Sequence, residues 1–148
     1  MFHDTILPDP ELQAEFYADV PAKRLVAWII DTIVTVALTA VIVLFTAFTA
    51  LLILPLVFFA VAFVYRSATI ARHGGTPGMR LLAIGLRTAS GGIPTPVEAM
   101  VHTVIFLVSS AMVLPQILSI AMILMTARGQ SLGDMVLGMT MLNRAGRM

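Results

Sequence analysis

The longest apolar stretch of the chain runs from Leu25 to Val64 and contains one formal charge, Asp31. As a continuous helix its forty residues would extend about 60 Å, roughly twice the ~30 Å hydrocarbon thickness of a bilayer. The pattern therefore predicts two membrane-spanning helices joined by a tight turn, over about residues 21–45 and 47–66. Pro55 falls inside the second of these, where a missing amide predicts a kink.

Polar segments lie on either side of this helix pair. Residues 1–20 carry five acidic residues and two prolines without an apolar period, which predicts a solvated N-terminal tail. Asp19 stands where it can cap the first helix. Residues 67–96 are rich in Gly, Pro, Thr and Arg and predict a connecting loop, in which the alternation over residues 80–87 indicates a short strand.

A third apolar zone spans about residues 96–127, with Pro115 near its middle. A helix of this length measures roughly 45 Å, too long for one upright crossing and too short for two. The zone is either one tilted, kinked crossing or a helical hairpin that returns to its starting side. The return is favoured because it keeps the C-terminal arginines on the side with the other basic residues, as expected of cytoplasmic loops. Pairing of residues 139–142 with the predicted strand requires the same return.

Composition agrees with a membrane protein: 59% of the 148 residues are hydrophobic, 11% are charged, and the mean hydropathy is +0.97. The predicted fold is an all-α membrane protein, two full transmembrane helices as a hairpin plus the proline-broken third zone, with a small β element at the cytoplasmic face. We expect a membrane domain over residues 21–142 between the tail of residues 1–20 and a C-terminal tail of residues 143–148. A net charge of +1 gives no indication of a nucleic-acid partner.

Asp31 is the most informative residue of the apolar stretch. Arg24 precedes it by seven residues, so the two project from nearly the same helix face. An ionised aspartate at membrane depth costs on the order of 3 kcal/mol, so Asp31 is expected to face protein or water and to have a partner. Arg24 is the candidate on its own helix, and the C-terminal segment around Asp134 provides the other.

Three motifs carry a family resemblance. They are Arg24-Leu-Val-Ala27-Trp-Ile-Ile-Asp31, then Gly75-Thr76-Pro77-Gly78-Met-Arg80-Leu-Leu-Ala-Ile84, then Ser131-Leu-Gly-Asp134 followed by Gly138-Met-Thr140. In this order they resemble the RDD family of bacterial integral membrane proteins, named for one arginine and two aspartates, with Arg24, Asp31 and Asp134 at those positions. Two departures are the single Arg128 where the family is more basic, and Ala83 where it often has Gly.

The resemblance implies a multi-pass protein of the bacterial cytoplasmic (inner) membrane, and the basic residues place its N-terminus in the cytoplasm. Most family members have no assigned role, while some resemble transport-linked proteins, including proposed sodium/proton exchange. The buried charges then have two interpretations. They form an ion-pair network that fixes helix register, or Asp31 is a proton or cation site that Arg24 tunes and Asp134 closes from the cytoplasmic side.

Polar residues also repeat at seven-residue spacing in both apolar zones. Such residues either help membrane helices pack or line an ion path. The candidate polar track consists of Thr32, Thr35, Thr39, His102, Ser109 and Gln116.

Other chemistry has little support in the sequence. The three histidines are isolated, there is no cysteine, and no nucleophile stands near a base, so we expect no metal, no cofactor and no enzymatic activity. Two functional classes remain: an ion- or solute-transport-linked protein, or an accessory or scaffold subunit of a larger membrane complex. The expected partners are the lipid bilayer and either further copies of the chain or that larger complex.

Overall fold

The computed structural model describes residues 6–144. It confirms the predicted fold class, a helical membrane-type protein with a small two-stranded sheet. In chain order the elements are α1 (Val20–Phe45), α2 (Leu54–His73), α3 (Pro77–Leu81), β1 (Ile84–Arg87), α4 (Pro96–Ala111), α5 (Val113–Met125), α6 (Leu132–Leu137) and β2 (Thr140–Asn143).

The first two long helices form the predicted hairpin. Helical segments Ala14–Phe45 and Thr49–His73 are each long and apolar enough to cross a membrane. The turn between them places Ala47 and Phe48 in left-handed conformations. Asp19 precedes α1 as predicted, but its side chain makes no capping hydrogen bond.

The second helix differs from its prediction at both ends. A short 3₁₀ turn, Thr49–Ile53, precedes α2, and Pro55 lies in the first turn of α2. A proline there loses no intrahelical hydrogen bond, so Pro55 marks the start of α2 and its predicted position inside the helix is wrong. The helix also continues through polar residues to His73 and ends at Gly74, whose φ is +70°. Hydropathy marks where apolar side chains stop, whereas the helix ends where glycine permits the left-handed conformation.

The third apolar zone is two helices rather than one. The axes of α4 and α5 differ by 116° across a break at Met112, which has an extended backbone. Pro115 lies in the first turn of α5 and cannot donate a hydrogen bond to the carbonyl of Ala111, the last residue of α4. After α5 the chain returns along α4, and Asp134 lies 2.7 Å from His102, in the N-terminal half of α4. The structure therefore adopts the returning alternative.

The sheet closes this same end of the helix pair. β1 and β2 are antiparallel, with Ile84 opposite Asn143 and Arg87 opposite Thr140, which confirms the predicted pairing. Asn143 ends β2 and donates to the carbonyls of Glu15 and Ala18, so it does not begin a C-terminal tail. Residues 1–5 and 145–148, which belong to the two predicted tails, lie outside the described residues.

The buried apolar core lies beneath the sheet, whereas the outer faces of the long helices are apolar and exposed. Helix α5 contributes no buried residue. Such faces match the hydrocarbon surroundings of a membrane protein. The core residues are Val20, Ala27, Ile70, Met79, Ile84, Leu86, Ala99, Met139 and Met141.

Candidate functional site

Asp31 binds the start of α3 and a tyrosine of α2. Its carboxylate accepts hydrogen bonds from the Tyr65 hydroxyl at 2.9 Å, from the Gly78 amide at 2.9 Å and from the Thr76 hydroxyl. Thr76 is also the N-cap of α3, accepting from the amide of Met79. Asp31 is 6% exposed, so its charge is stabilised by neutral donors within the protein.

Gly78 permits this close approach. A Cβ at this position would lie 2.5 Å from the carbonyl oxygen of Ala27 and 2.8 Å from Oδ1 of Asp31. Both distances are below those that real Cβ atoms make, so only glycine brings its amide to the carboxylate without displacing α1.

Asp134 joins the C-terminal segment to α1 and α4. Oδ2 of Asp134 lies 2.6 Å from Nη1 of Arg24, and Oδ1 lies 2.7 Å from Nε2 of His102. Oδ2 also accepts from the Ser131 amide at 3.0 Å, within a capping box that begins α6. Arg24, one of the two candidate partners of Asp31, therefore pairs with Asp134. The segment around Asp134, the other candidate, provides none of the three donors to Asp31, so both expectations are corrected. The seven-residue spacing separates Arg24 and Asp31 by about 10 Å along α1, beyond direct contact.

The electrostatics of Asp134 favour its ionised form. Burial alone raises the pKa of this carboxyl, but the Arg24 charge and the His102 hydrogen bond lower the pKa further, to well below its usual range. The residue is fully buried, so the ion pair with Arg24 is shielded from water.

Arg66 is a third charged residue of this region. It lies on α2, is 7% exposed, and its guanidinium carbon lies 3.7 Å from the ring centre of Phe106 on α4. This is a cation–π contact between the two helices. Within residues 6–144 its buried Nε has no hydrogen-bond partner, and no ion pair within 4 Å joins Arg66 to a carboxylate.

Two cavities lie beside these charges. The larger, of about 680 Å³, is bounded mainly by α1, α4 and α5, and the smaller, of about 240 Å³, by α1, α2 and α4. Arg24, His102 and Ser131 line only the larger cavity. The residues that line both are Trp28, Asp31, Arg66 and Phe106.

The family comparison covers this whole arrangement. The RDD family model matches residues 19–147, which include both strands, all six helices and the three charged positions. The chain belongs to the RDD family. Comparison with curated proteins and with solved structures gave no match.

The RDD triad is thus divided between two clusters. Arg24 and Asp134 form an ion pair at the sheet end, while Asp31 holds the start of α3. Arg66 shares a cavity wall with members of both clusters, since it lines the larger cavity with Arg24 and both cavities with Asp31.

The structure distributes the candidate polar track over both cavities. Thr32 and Thr35 line the smaller cavity, and Thr39 lines neither. All three threonine hydroxyls donate to the carbonyl four residues earlier in α1, as expected of residues that assist helix packing. The second half of the track, His102, Ser109 and Gln116, lines the larger cavity.

Sequence reasoning missed Arg66 and the donors to Asp31. The predicted end of the second helix, at residue 66, makes Arg66 a flanking charge at the membrane boundary. The polar run to Gly74 is the signal of a longer helix, and it places Arg66 two turns inside. The pair Thr76-Pro77 is an N-cap signature inside the segment predicted as a connecting loop.

No cluster of three His, Asp or Glu side chains suited to a metal ion occurs among residues 6–144. The chemistry available is ionic: two aspartates, two arginines and His102 beside a cavity. Side chains of these types are chemically able to bind a charged group or to exchange a proton.

Proposed function

We propose that this RDD protein is a transport-linked membrane protein, not an enzyme, and that an ionised solute binds in the larger cavity. The observation that carries the proposal is Arg66 on the wall of that cavity, a buried arginine whose Nε has no hydrogen-bond partner among residues 6–144. An ionisable group within a membrane segment is by default a functional-site candidate, because burial of an unsatisfied charge is costly.

The contrast with the other charges supports this proposal. Asp31 and Asp134 each accept at least three hydrogen bonds, as structural charges do. Among the described residues, Arg66 is stacked on the face of Phe106 and has no carboxylate within ion-pair distance. In this proposal Asp31 positions α3 and balances the charge of Arg66, and Arg66 binds the solute.

The same proposal places the chain in the bacterial inner membrane with its N-terminus in the cytoplasm. A homo-oligomer is proposed as the working form, because few helices enclose the cavity and the outer face of α5 is uncovered. That uncovered face also favours a second candidate, an accessory subunit that docks on a larger membrane complex. Mass measurement in detergent separates the two: a defined homo-oligomer supports transport, and stoichiometric co-purification with another protein supports the accessory role.

Flux in proteoliposomes tests the proposal. Vesicles loaded with a pH-sensitive dye would receive a sodium gradient, and matched vesicles on a solid support would receive jumps of sodium chloride, sodium acetate or sodium phosphate. The first measurement detects electroneutral proton exchange and the second detects electrogenic movement. Absence of protein-dependent signals in both would overturn the proposal.

Matched variants assign the flux to the site. Arg66→Met is expected to abolish it, whereas Arg72→Met, which removes an exposed arginine of the same helix, should leave it unchanged. Asp31→Asn retains volume and one acceptor oxygen and is expected to reduce the flux. Equal flux in Arg66→Met and Arg72→Met would exclude the cavity as the solute site.

A further inference from the structure

We propose that the larger cavity binds an anionic amphiphile: a carboxylate or phosphate head on a hydrocarbon chain, with its head on Arg66. This inference names the class of ligand and rests on the proposed function for the location of the site. It follows from the donors of two arginines, from the apolar wall of the cavity, and from the charge balance around them.

The unsatisfied donors of Arg66 call for an oxyanion. A guanidinium carries five N–H donors in a planar fork that fits a carboxylate or phosphate with two parallel hydrogen bonds. Within the described residues the buried Nε of Arg66 has no hydrogen-bond partner, no carboxylate lies within ion-pair distance of its guanidinium, and its face is stacked on Phe106. The stacking fixes the plane of the fork and leaves its edge for a ligand.

Arg24 adds a second donor group to the same cavity. One of its nitrogens, Nη1, is bound to Asp134, and its side chain is 13% exposed. The ion pair holds the guanidinium in place on the cavity wall. A head group between Arg24 and Arg66 would therefore meet two arginines that the fold has already positioned.

The rest of the lining favours a hydrocarbon tail. Trp28, Phe106, Ile120 and Ile123 provide large apolar side chains around the charged groups. A volume of about 680 Å³ is within the range of small-molecule sites, roughly 300–1,000 Å³. Inorganic phosphate would lose hydrogen bonds to water on entering the cavity, and the apolar walls would not replace them. An alkyl chain is instead stabilised by contact with the same walls, because its apolar surface leaves water.

The charges around the site favour a singly charged head over a doubly charged one. Arg24 and Arg66 are matched in number by Asp31 and Asp134, so the four groups sum to zero formal charge. A doubly charged anion would leave a larger uncompensated charge at membrane depth than a singly charged one.

The chain carries its own reporter of occupancy. Trp28 is the only tryptophan of the sequence and lines both cavities. Its side chain is 47% exposed, so bulk lipid also reaches it. Bromine on an acyl chain quenches tryptophan on contact, and the quantity to measure is the quenching by an anionic brominated chain in excess of that by a zwitterionic one.

The experiment places the full chain in nanodiscs of brominated phosphatidylcholine, which gives the baseline. Two test series replace part of it with brominated phosphatidylglycerol or with a brominated fatty acid, and thereby distinguish a phospholipid from a free fatty acid as the source. A fourth series titrates inorganic phosphate as competitor. Excess quenching that saturates in either anionic series is the expected result, and no excess in both would overturn the inference.

Variants assign the excess to Arg66. Arg66→Met is expected to weaken the anionic preference about tenfold or more, because charge-assisted hydrogen bonds to the head are lost. Arg72→Met controls for general attraction of anionic lipid to basic residues. Thermal unfolding checks that each variant is folded. If Arg66→Met is not, the cavity-filling Ile123→Phe serves instead and should abolish the excess while retaining both arginines.

The outcomes separate this inference from the proposed function. Flux without excess quenching would exclude an anionic amphiphile as the ligand and would retain the cavity as a transport site. Excess quenching without flux retains the binding site and removes transport. Displacement by millimolar inorganic phosphate with no dependence on the chain would identify a free oxyanion site and overturn the inference.

Discussion

Replacing Asp134 with Asn tests whether one carboxylate fastens the C-terminal segment to the first helix. Asp134 is fully buried and binds Arg24 at 2.6 Å, His102 at 2.7 Å and the amide of Ser131 at 3.0 Å. Asparagine retains the volume and one acceptor oxygen but removes the charge, so the guanidinium of Arg24 loses its counter-ion. Breaking a buried ion pair by removing one partner destabilises a protein by about 3–5 kcal/mol.

The measurement is the free energy of unfolding of the purified chain in detergent, followed by far-UV circular dichroism during denaturant titration. The design is a double-mutant cycle of Asp134→Asn and Arg24→Met. Because the double variant leaves no unpaired charge, it should be more stable than the sum of the single effects predicts, by about 2 kcal/mol. Glu11→Gln removes an exposed acidic charge and should change stability by less than about 0.5 kcal/mol.

Two results would refute the reasoning. A loss below about 1 kcal/mol in Asp134→Asn would mean that Arg24 finds water or another acceptor without cost. Strict additivity in the cycle would mean that the 2.6 Å contact carries no coupling energy.

Three further predictions concern pH, packing and topology. The pKa of Asp134 is depressed in the fold, so its contribution to the free energy of unfolding is complete above the unfolded pKa of about 3.9 and is lost as pH falls towards the folded pKa. An acid titration of the free energy of unfolding should show this loss, and the loss should be smaller in Asp134→Asn. Gly78→Ala should lower the free energy of unfolding by about 1–3 kcal/mol, since its Cβ would lie 2.5 Å from a carbonyl of α1, whereas Gly92→Ala, with 3.9 Å of clearance, should be near neutral in the same denaturant titration. Single cysteines at Ser90 and Arg144 should react with a membrane-impermeant thiol reagent from the same side, and labelling from opposite sides would contradict the return of the third zone.

Periodicity and hydropathy predicted the parts of this fold that depend on local sequence. The hairpin of two spanning helices, the strand within residues 80–87 and its pairing with residues 139–142 all follow from apolar run lengths and alternation. The C-terminal end of α2 could not be predicted from hydropathy, because the helix continues past the apolar residues and ends at Gly74, which adopts the left-handed conformation.

The partners of the buried charges depended on contacts that no local pattern contains. Arg24 binds a residue 110 positions away, and Asp31 binds Thr76, 45 positions away. Helix geometry predicts that Arg24 and Asp31 lie on one face of α1. Their partners are determined by the other elements that pack near that face, α3 for Asp31 and α6 for Arg24. Arg66 was missed for the same reason, since its burial results from the packing of α4 on α2.

The pairing of Arg24 with Asp134 has a consequence for how the chain is made. Helix α1 is synthesised before α6, so Arg24 meets its counter-ion only after the segment that carries Asp134 has been made. Lys23 donates a hydrogen bond to the side chain of Asn143, and this contact also forms only after β2 has been made. The helix pair can insert while the ribosome is still translating α4, but it then holds an unpaired guanidinium at the bilayer boundary. A chain stopped before Asp134 would therefore contain the helix pair without the ion pair that joins the C-terminal segment to α1.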